Sequence, residues 1–117
     1  MKVKLRIPAL LIALSAALTT SAIAQVQTGS ILVKANDAQG AVVPGVTVTV
    51  TSPVLVAGQM TSATDASGAC RFPSLQPGTY TVKLELQGFQ SVIRENIVVA
   101  VGQTTPVDLA MNVASLQ

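Results

Sequence analysis

Thr64-Asp65-Ala66-Ser67-Gly68-Ala69-Cys70-Arg71-Phe72-Pro73-Ser74-Leu75-Gln76-Pro77-Gly78-Thr79-Tyr80-Thr81-Val82 is the stretch that decides the fold. It reads as turn, strand, turn, strand. Asp65 opens the first turn, where its carboxylate can accept a backbone N–H two residues on, and Gly68 closes it with the positive φ such turns need. Pro77-Gly78 marks the second turn. Beyond it Tyr80, Val82, Leu84 and Leu86 alternate with Thr81, Lys83 and Glu85, so one face of this strand points to a core and the other to water.

The same grammar extends in both directions. Upstream, Val46-Thr47-Val48-Thr49-Val50-Thr51 sets valines on one face and threonines on the other, both β-branched and suited to a pleat. Downstream, Val107, Leu109 and Met111 repeat the alternation. Weaker strands are predicted over Ser30 to Ala35, with Ile31, Val33 and Ala35 inward, then Met60 to Thr64, Ala69 to Phe72, and within Ser91 to Val101. Seven short runs bounded by Gly, Pro, Asn or Asp argue for an all-β sandwich or barrel. Between Ile93 and Ile97 the alternation slips across Arg94-Glu95-Asn96, which predicts a bulge or bend. Asn36-Asp37-Ala38-Gln39-Gly40 repeats the D-A-x-G turn design, and Pro44-Gly45 is a further turn. Pro53 to Gly58 is the longest unpatterned loop, with an apolar tip, Val54-Leu55-Val56, expected at the surface. No segment after Ala24 has the i, i+3, i+4 apolar spacing of a helix. The expected core is Ile31, Val33, Val46, Val48, Val50, Phe72, Leu75, Tyr80, Val82, Leu84, Val107 and Leu109.

Residues 1–24 have a different character. Lys2, Lys4 and Arg6 precede an apolar run from Ile7 to Leu18, and Ala22-x-Ala24 is the small-residue pattern a signal peptidase accepts. The apolar run falls short of the ~20 residues that span a bilayer, so it reads as a cleavable export signal rather than an anchor. No Cys follows it to accept a lipid. The division expected is a signal at 1–24, a short segment at 25–28, the sandwich at 29–113 and a tail at 114–117, with no transmembrane segment once the signal is removed.

Charge and composition remove several functions. The 117 residues carry a net charge of +2, but the cationic excess sits in the signal. Past Ala24, Lys34, Arg71, Lys83 and Arg94 face Asp37, Asp65, Glu85, Glu95 and Asp108, a formal charge of −1. The basic footprint of a nucleic-acid binder is missing. One Cys cannot close an internal disulfide, so the core must supply the stability that disulfides often give small exported domains. With no His, neither a Ser-His-Asp nor a Cys-His arrangement can be assembled, and a metal site could draw only on carboxylates, carbonyls and one thiol. The chain is read as no enzyme, with no catalytic, cofactor-binding or metal residue assigned and no cofactor required.

Taken together, Asp65-x-x-Gly68-x-x-x-Phe72-x-x-Leu75-x-Pro77-Gly78-x-Tyr80-x-Val82, followed by Gly88-Phe89 and preceded by Gly29 to Val50 with its Asp37 turn, resembles the carboxypeptidase regulatory-like domain. The resemblance spans about Gly29 to Met111 and implies a seven-stranded transthyretin-like (prealbumin-like) β-sandwich. A signal peptide followed by Gln25-x-x-Thr28-Gly29 is similar to the N-terminal extension of bacterial TonB-dependent outer-membrane receptors, which lies on the periplasmic side. The linker, TonB box, plug and barrel of such receptors are not in these 117 residues. The chain is therefore read either as part of a longer receptor gene or as a free-standing periplasmic or secreted module. The regulatory domain of carboxypeptidases is itself non-catalytic. Hydroxyisourate hydrolases share the fold, but their histidines and C-terminal Tyr-Arg-Gly-Ser have no match here.

Some individual residues bear on chemistry. Cys70 stands where this family usually has an aromatic; it shares a face with Phe72 and is expected to be buried as a small apolar side chain rather than reactive. Asp37 and Asp65 each bring one carboxylate to a loop, too few for a calcium site unless both loops share an ion at one end of the sandwich. Lys34, Glu85 and Asn112 stand near the places where related sandwiches form a Lys–Asn cross-link, but all three are out of phase with the core. The function expected is a binding or accessory domain whose partner is another protein of the cell envelope. Contact through a sheet edge is favoured over carbohydrate binding, because Trp is absent, Tyr80 and Phe72 point inward, and Phe89 alone remains for ring stacking.

Overall fold

Period-two alternation becomes seven strands: β1 (Gly29–Asp37), β2 (Thr47–Thr51), β3 (Gln59–Ala63), β4 (Ala69–Leu75), β5 (Gly78–Glu85), β6 (Val92–Val99) and β7 (Thr104–Met111). The computed structural model describes residues 27–114. The expected signal at 1–24, the start of the 25–28 segment and the tail after Ala114 lie outside the described residues. Among the described residues there is no helix.

Two sheets face each other, one ordered β4-β1-β7 and the other β3-β2-β5-β6. β1 is the middle strand of the smaller sheet, antiparallel to β4 and parallel to β7 from Ser30↔Thr104 to Asp37↔Met111. In the larger sheet every pairing is antiparallel. Gly29, Thr51, Gly78 and Thr104 lie at one pole, here the upper, and both Asp turns and residues 112–114 at the lower. The chain therefore enters the sandwich at the upper pole and leaves at the lower.

All twelve expected core residues are buried between the sheets, together with Ala35 and Met111, also on inward phases. Val43, Ile97 and Val99 join them without having been assigned. Val43 lies in a connection with no alternation to read. Ile97 and Val99 follow a break in phase: Tyr80 pairs with Ile97 but Val82 with Arg94, so two residues, Glu95 and Asn96, oppose Thr81. This is the bulge expected across 94–96, with Asn96 at φ 58. β4 runs on to Leu75, past the Phe72 limit expected. It is an edge strand, where Pro73 is tolerated, and its own bulge puts Ser74 at φ 58. An inward step of three, from Phe72 to Leu75, was the signal for it.

Tyr80 is the largest fully buried side chain. Its hydroxyl donates to the Gln76 carbonyl four residues upstream, the geometry of a tyrosine corner. That bond holds the Gln76-Pro77 connection against the body of β5. Burial keeps the proton on the Tyr80 phenol above its ordinary range.

At the lower pole the Asp65 turn is fastened to β1. The Ala35 N–H donates to the Gly68 carbonyl at 2.9 Å, and the Val43 N–H to the Ala35 carbonyl at 2.9 Å. Thr64 completes the seam, its buried hydroxyl donating to the Val43 carbonyl and accepting from the Val46 N–H, both at 2.9 Å. After β7 the chain is laced to the β5–β6 turn: Gln90 N–H donates to the Asn112 carbonyl at 2.8 Å and Ala114 N–H to Gly88 at 2.9 Å.

The twin turns allow a controlled comparison. Gly40 and Gly68 both have positive φ, +85° and +74°, but a Cβ at Gly40 meets nothing within 4 Å, whereas at Gly68 it would lie 2.8 Å from the Ala35 carbonyl oxygen. Gly40→Ala is expected to cost about 1 to 2 kcal/mol, the left-handed penalty alone. Gly68→Ala should cost clearly more, because the β1 seam must also shift. Urea denaturation at constant m measures both, and equal losses would contradict the seam. Tyr80 provides a second test. Because it is the only Tyr in a chain without Trp, phenolate absorbance reports it alone. Its folded-state pKa is raised, so above about pH 10, where the unfolded phenol ionises first, the native state retains a proton the unfolded state has lost and stability falls. Titration of native protein should place the absorbance midpoint above that of urea-unfolded protein; coincident midpoints would refute the buried phenol.

Candidate functional site

Each Asp turn is closed by its own carboxylate. Asp37 Oδ1 accepts from the N–H groups of Gln39 and Ala41, both at 2.9 Å. Asp65 Oδ1 accepts from the Ser67 N–H at 2.9 Å, the Ala69 N–H at 3.1 Å and the Ser67 hydroxyl at 2.6 Å. The Ser67 hydroxyl above all, with the Ala69 and Ser67 N–H groups, holds the Asp65 carboxyl below the usual carboxylate range. Both loops do sit at the lower pole, yet no group of three or more metal-ligating side chains gathers there or elsewhere among the described residues. Each carboxylate is engaged within its own turn.

Two open depressions lie at the upper pole, each beside a bulge. The larger, about 500 Å³, follows the β5–β6 bulge under the Pro53–Gly58 loop and is lined by the side chains of Thr51, Thr79, Thr81, Glu95 and Asn96. The smaller, about 240 Å³, follows the β4 bulge and holds Arg71, Ser74 and Thr104. An extra residue bends its strand away from its neighbour, which is how both hollows arise. Their linings offer hydroxyls, one carboxylate, two amides and one guanidinium. Neither contains an aromatic ring or a paired acid and base.

The remaining residues singled out in the sequence are dispersed. Lys34 lies on the outer face of the smaller sheet, Glu85 on the outer face of the larger, and Asn112 is exposed past β7. The body of the sandwich separates Lys34 from Glu85, which instead pairs with Lys83 at a half-exposed position. Cys70 is 5% exposed, inside the core, as its shared phase with Phe72 required. Phe89 is partly buried and packs against the core edge. The apolar loop tip is only partly at the surface: Val54 and Val56 are exposed, but Leu55 folds down onto the core. No helix among the described residues is long and apolar enough to cross a membrane.

The sheet edges are unequal. β4 carries Arg71, Pro73 and a bulge; β7 carries Pro106 and Asp108; β6 carries Arg94, Glu95 and a bulge, and its Val98 carbonyl accepts from the Thr105 hydroxyl at 2.9 Å. Such features keep foreign strands from pairing. β3, Gln59-Met60-Thr61-Ser62-Ala63, has none of them and is exposed at every residue.

Comparison with known proteins agrees with this architecture. A 66-residue segment is 39% identical to the TonB-dependent transporter Oar of Myxococcus xanthus, covering 56% of this chain and 6% of the transporter, so the chain spans a small fraction of that relative. Among solved structures, the Bacillus anthracis TIE protein superposes with a TM-score of 0.66 at 20% identity, over 75% of this chain and 17% of that one. GBS52, the minor pilin of Streptococcus agalactiae, superposes with a TM-score of 0.58 at 16% identity, over 78% of this chain and 47% of that one. At such identities these two likenesses speak for the sandwich alone. The model of the carboxypeptidase regulatory-like domain matches residues 30–112, from the second residue of β1 to just past β7, and the chain belongs to that family.

Proposed function

We propose that this chain is a non-catalytic, exported accessory module of a TonB-dependent uptake system, working on the periplasmic face of the outer membrane and docking another protein of the envelope. The observation that carries this reading is the 39% identity to a TonB-dependent transporter across the domain region. The build of the sandwich supports it. A chain that enters at one pole and leaves at the other can be threaded in line within a longer envelope protein without doubling back. Its lower exit is fixed by the Gly88 and Asn112 hydrogen bonds, so a following segment would start from a defined position. The two hollows are lined by groups that form hydrogen bonds and lack the His-based or paired acid–base sets that turnover would use.

The test is to tag the protein at its C-terminus, express it from its own gene with residues 1–24 intact, fractionate the cells and identify what cross-links to it. Recovery from the periplasm or outer membrane with transporter or TonB-complex proteins is the expected result. A lone monomer in the medium, or retention of specific glycans without envelope proteins, would replace this reading with a free-standing binding module.

A further inference from the structure

The β3 edge is open in a particular way. The Thr64 N–H donates to the Val46 carbonyl at 2.9 Å and the Ser52 N–H to Gly58 at 3.3 Å, so these are hydrogen-bonded pairs at the two ends of the β2–β3 ladder. Antiparallel ladders alternate, so Met60 and Ser62 also spend their backbone groups on β2. Gln59, Thr61 and Ala63 then turn theirs outward: three N–H and three C=O groups at a free edge. β3 has substantial contact with β2 alone, and Met60, in phase with the core valines, remains 38% exposed.

Charge says what fits there. From Ala38 to Thr64 the chain has no Asp, Glu, Lys or Arg. β2, the Pro53–Gly58 loop and β3 all fall within that stretch, so the edge offers nothing to a charged partner and does not repel its own kind.

We propose that β3 pairs antiparallel with β3 of a second copy of this chain, about a two-fold axis through Thr61. In that register Gln59 opposes Ala63, Met60 opposes Ser62, and Thr61 opposes Thr61 of the second copy. All outward groups of both copies are then satisfied, because three hydrogen-bonded pairs use every outward N–H and C=O on each side. Sliding by two residues leaves one such pair unmade, and sliding by one sets outward groups against inward ones. The two Met60 side chains meet diagonally across the axis, within reach of each other. The product is a continuous sheet in the order β6-β5-β2-β3-β3-β2-β5-β6. Five residues a side keep the contact below the ~1,200 Å² of standard interfaces, so the dimer is weak and forms with concentration. This inference does not depend on the uptake reading, and failure of either leaves the other standing.

Sedimentation velocity on the purified protein, from about 10 μM to about 1 mM, should show the weight-average mass rising toward twice the monomer, at the weak end of measurable affinity. Thr61→Lys, which sets two cations face to face on the axis, should weaken association at least tenfold while leaving the far-UV spectrum unchanged. In unsubstituted protein, amide NMR shifts that move with concentration should centre on Gln59 to Ala63, a readout that needs no variant to fold. A monomer at about 1 mM, concentration-dependent shifts centred on another strand, or a dimer that survives Thr61→Lys unweakened would each overturn the proposal.

Discussion

The rest of this sandwich depends on the two-sided pairing of β1. It is the only strand of its sheet with a neighbour on each side, joined to β4 in one direction and to β7 in the other. Parallel pairing demands a long crossover, and here the crossover is the whole of β2 through β6. Closing such a loop costs chain entropy before any contact rewards it. The compensation lies on the inner face of β1, where Ile31, Val33 and Ala35 are fully buried, and in the lower-pole seam that ties Ala35 to Gly68 and Val43. Because only three aromatic residues are present and no disulfide is formed, the interior is filled largely by valines. Val46, Val48 and Val50 each fit one position on one face, so a slip of one residue would turn that row to water.

This dependence on phase is why so much of the fold was legible. Wherever alternation was unbroken, as in β2, β5 and β7, the inward residues could be named from sequence. The turns were legible for a separate reason: Asp37 and Asp65 bond their own backbone, a local interaction that needs no tertiary context. What escaped were the places where tertiary contact overrides local pattern. Val43 is buried by the seam, Leu55 by its fit to the core edge, and Ser74 marks a bulge whose only trace was an odd step between Phe72 and Leu75.

The candidate sites were less legible, and the reason is physical. Catalytic sets announce themselves by residue type, and among the described residues no group of three or more metal-ligating side chains gathers. The hollows and the open edge rest on shape and on unpaired backbone, which carry no letter in the sequence. The upper-pole hollows exist because two extra residues bend two strands. The β3 edge matters because protection found on β4, β6 and β7 is missing from it, a contrast visible only once all four edges are known.

Native-state hydrogen exchange by NMR in dilute solution tests this account most directly. If β1 is the hub and β3 the open edge, the slowest amides will lie across Ile31 to Ala35 and exchange only by global unfolding, while the Gln59, Thr61 and Ala63 amides will exchange fastest of all strand positions. Amides of β1 that exchange through local opening, or a Thr61 amide as protected as those of β2, would contradict it.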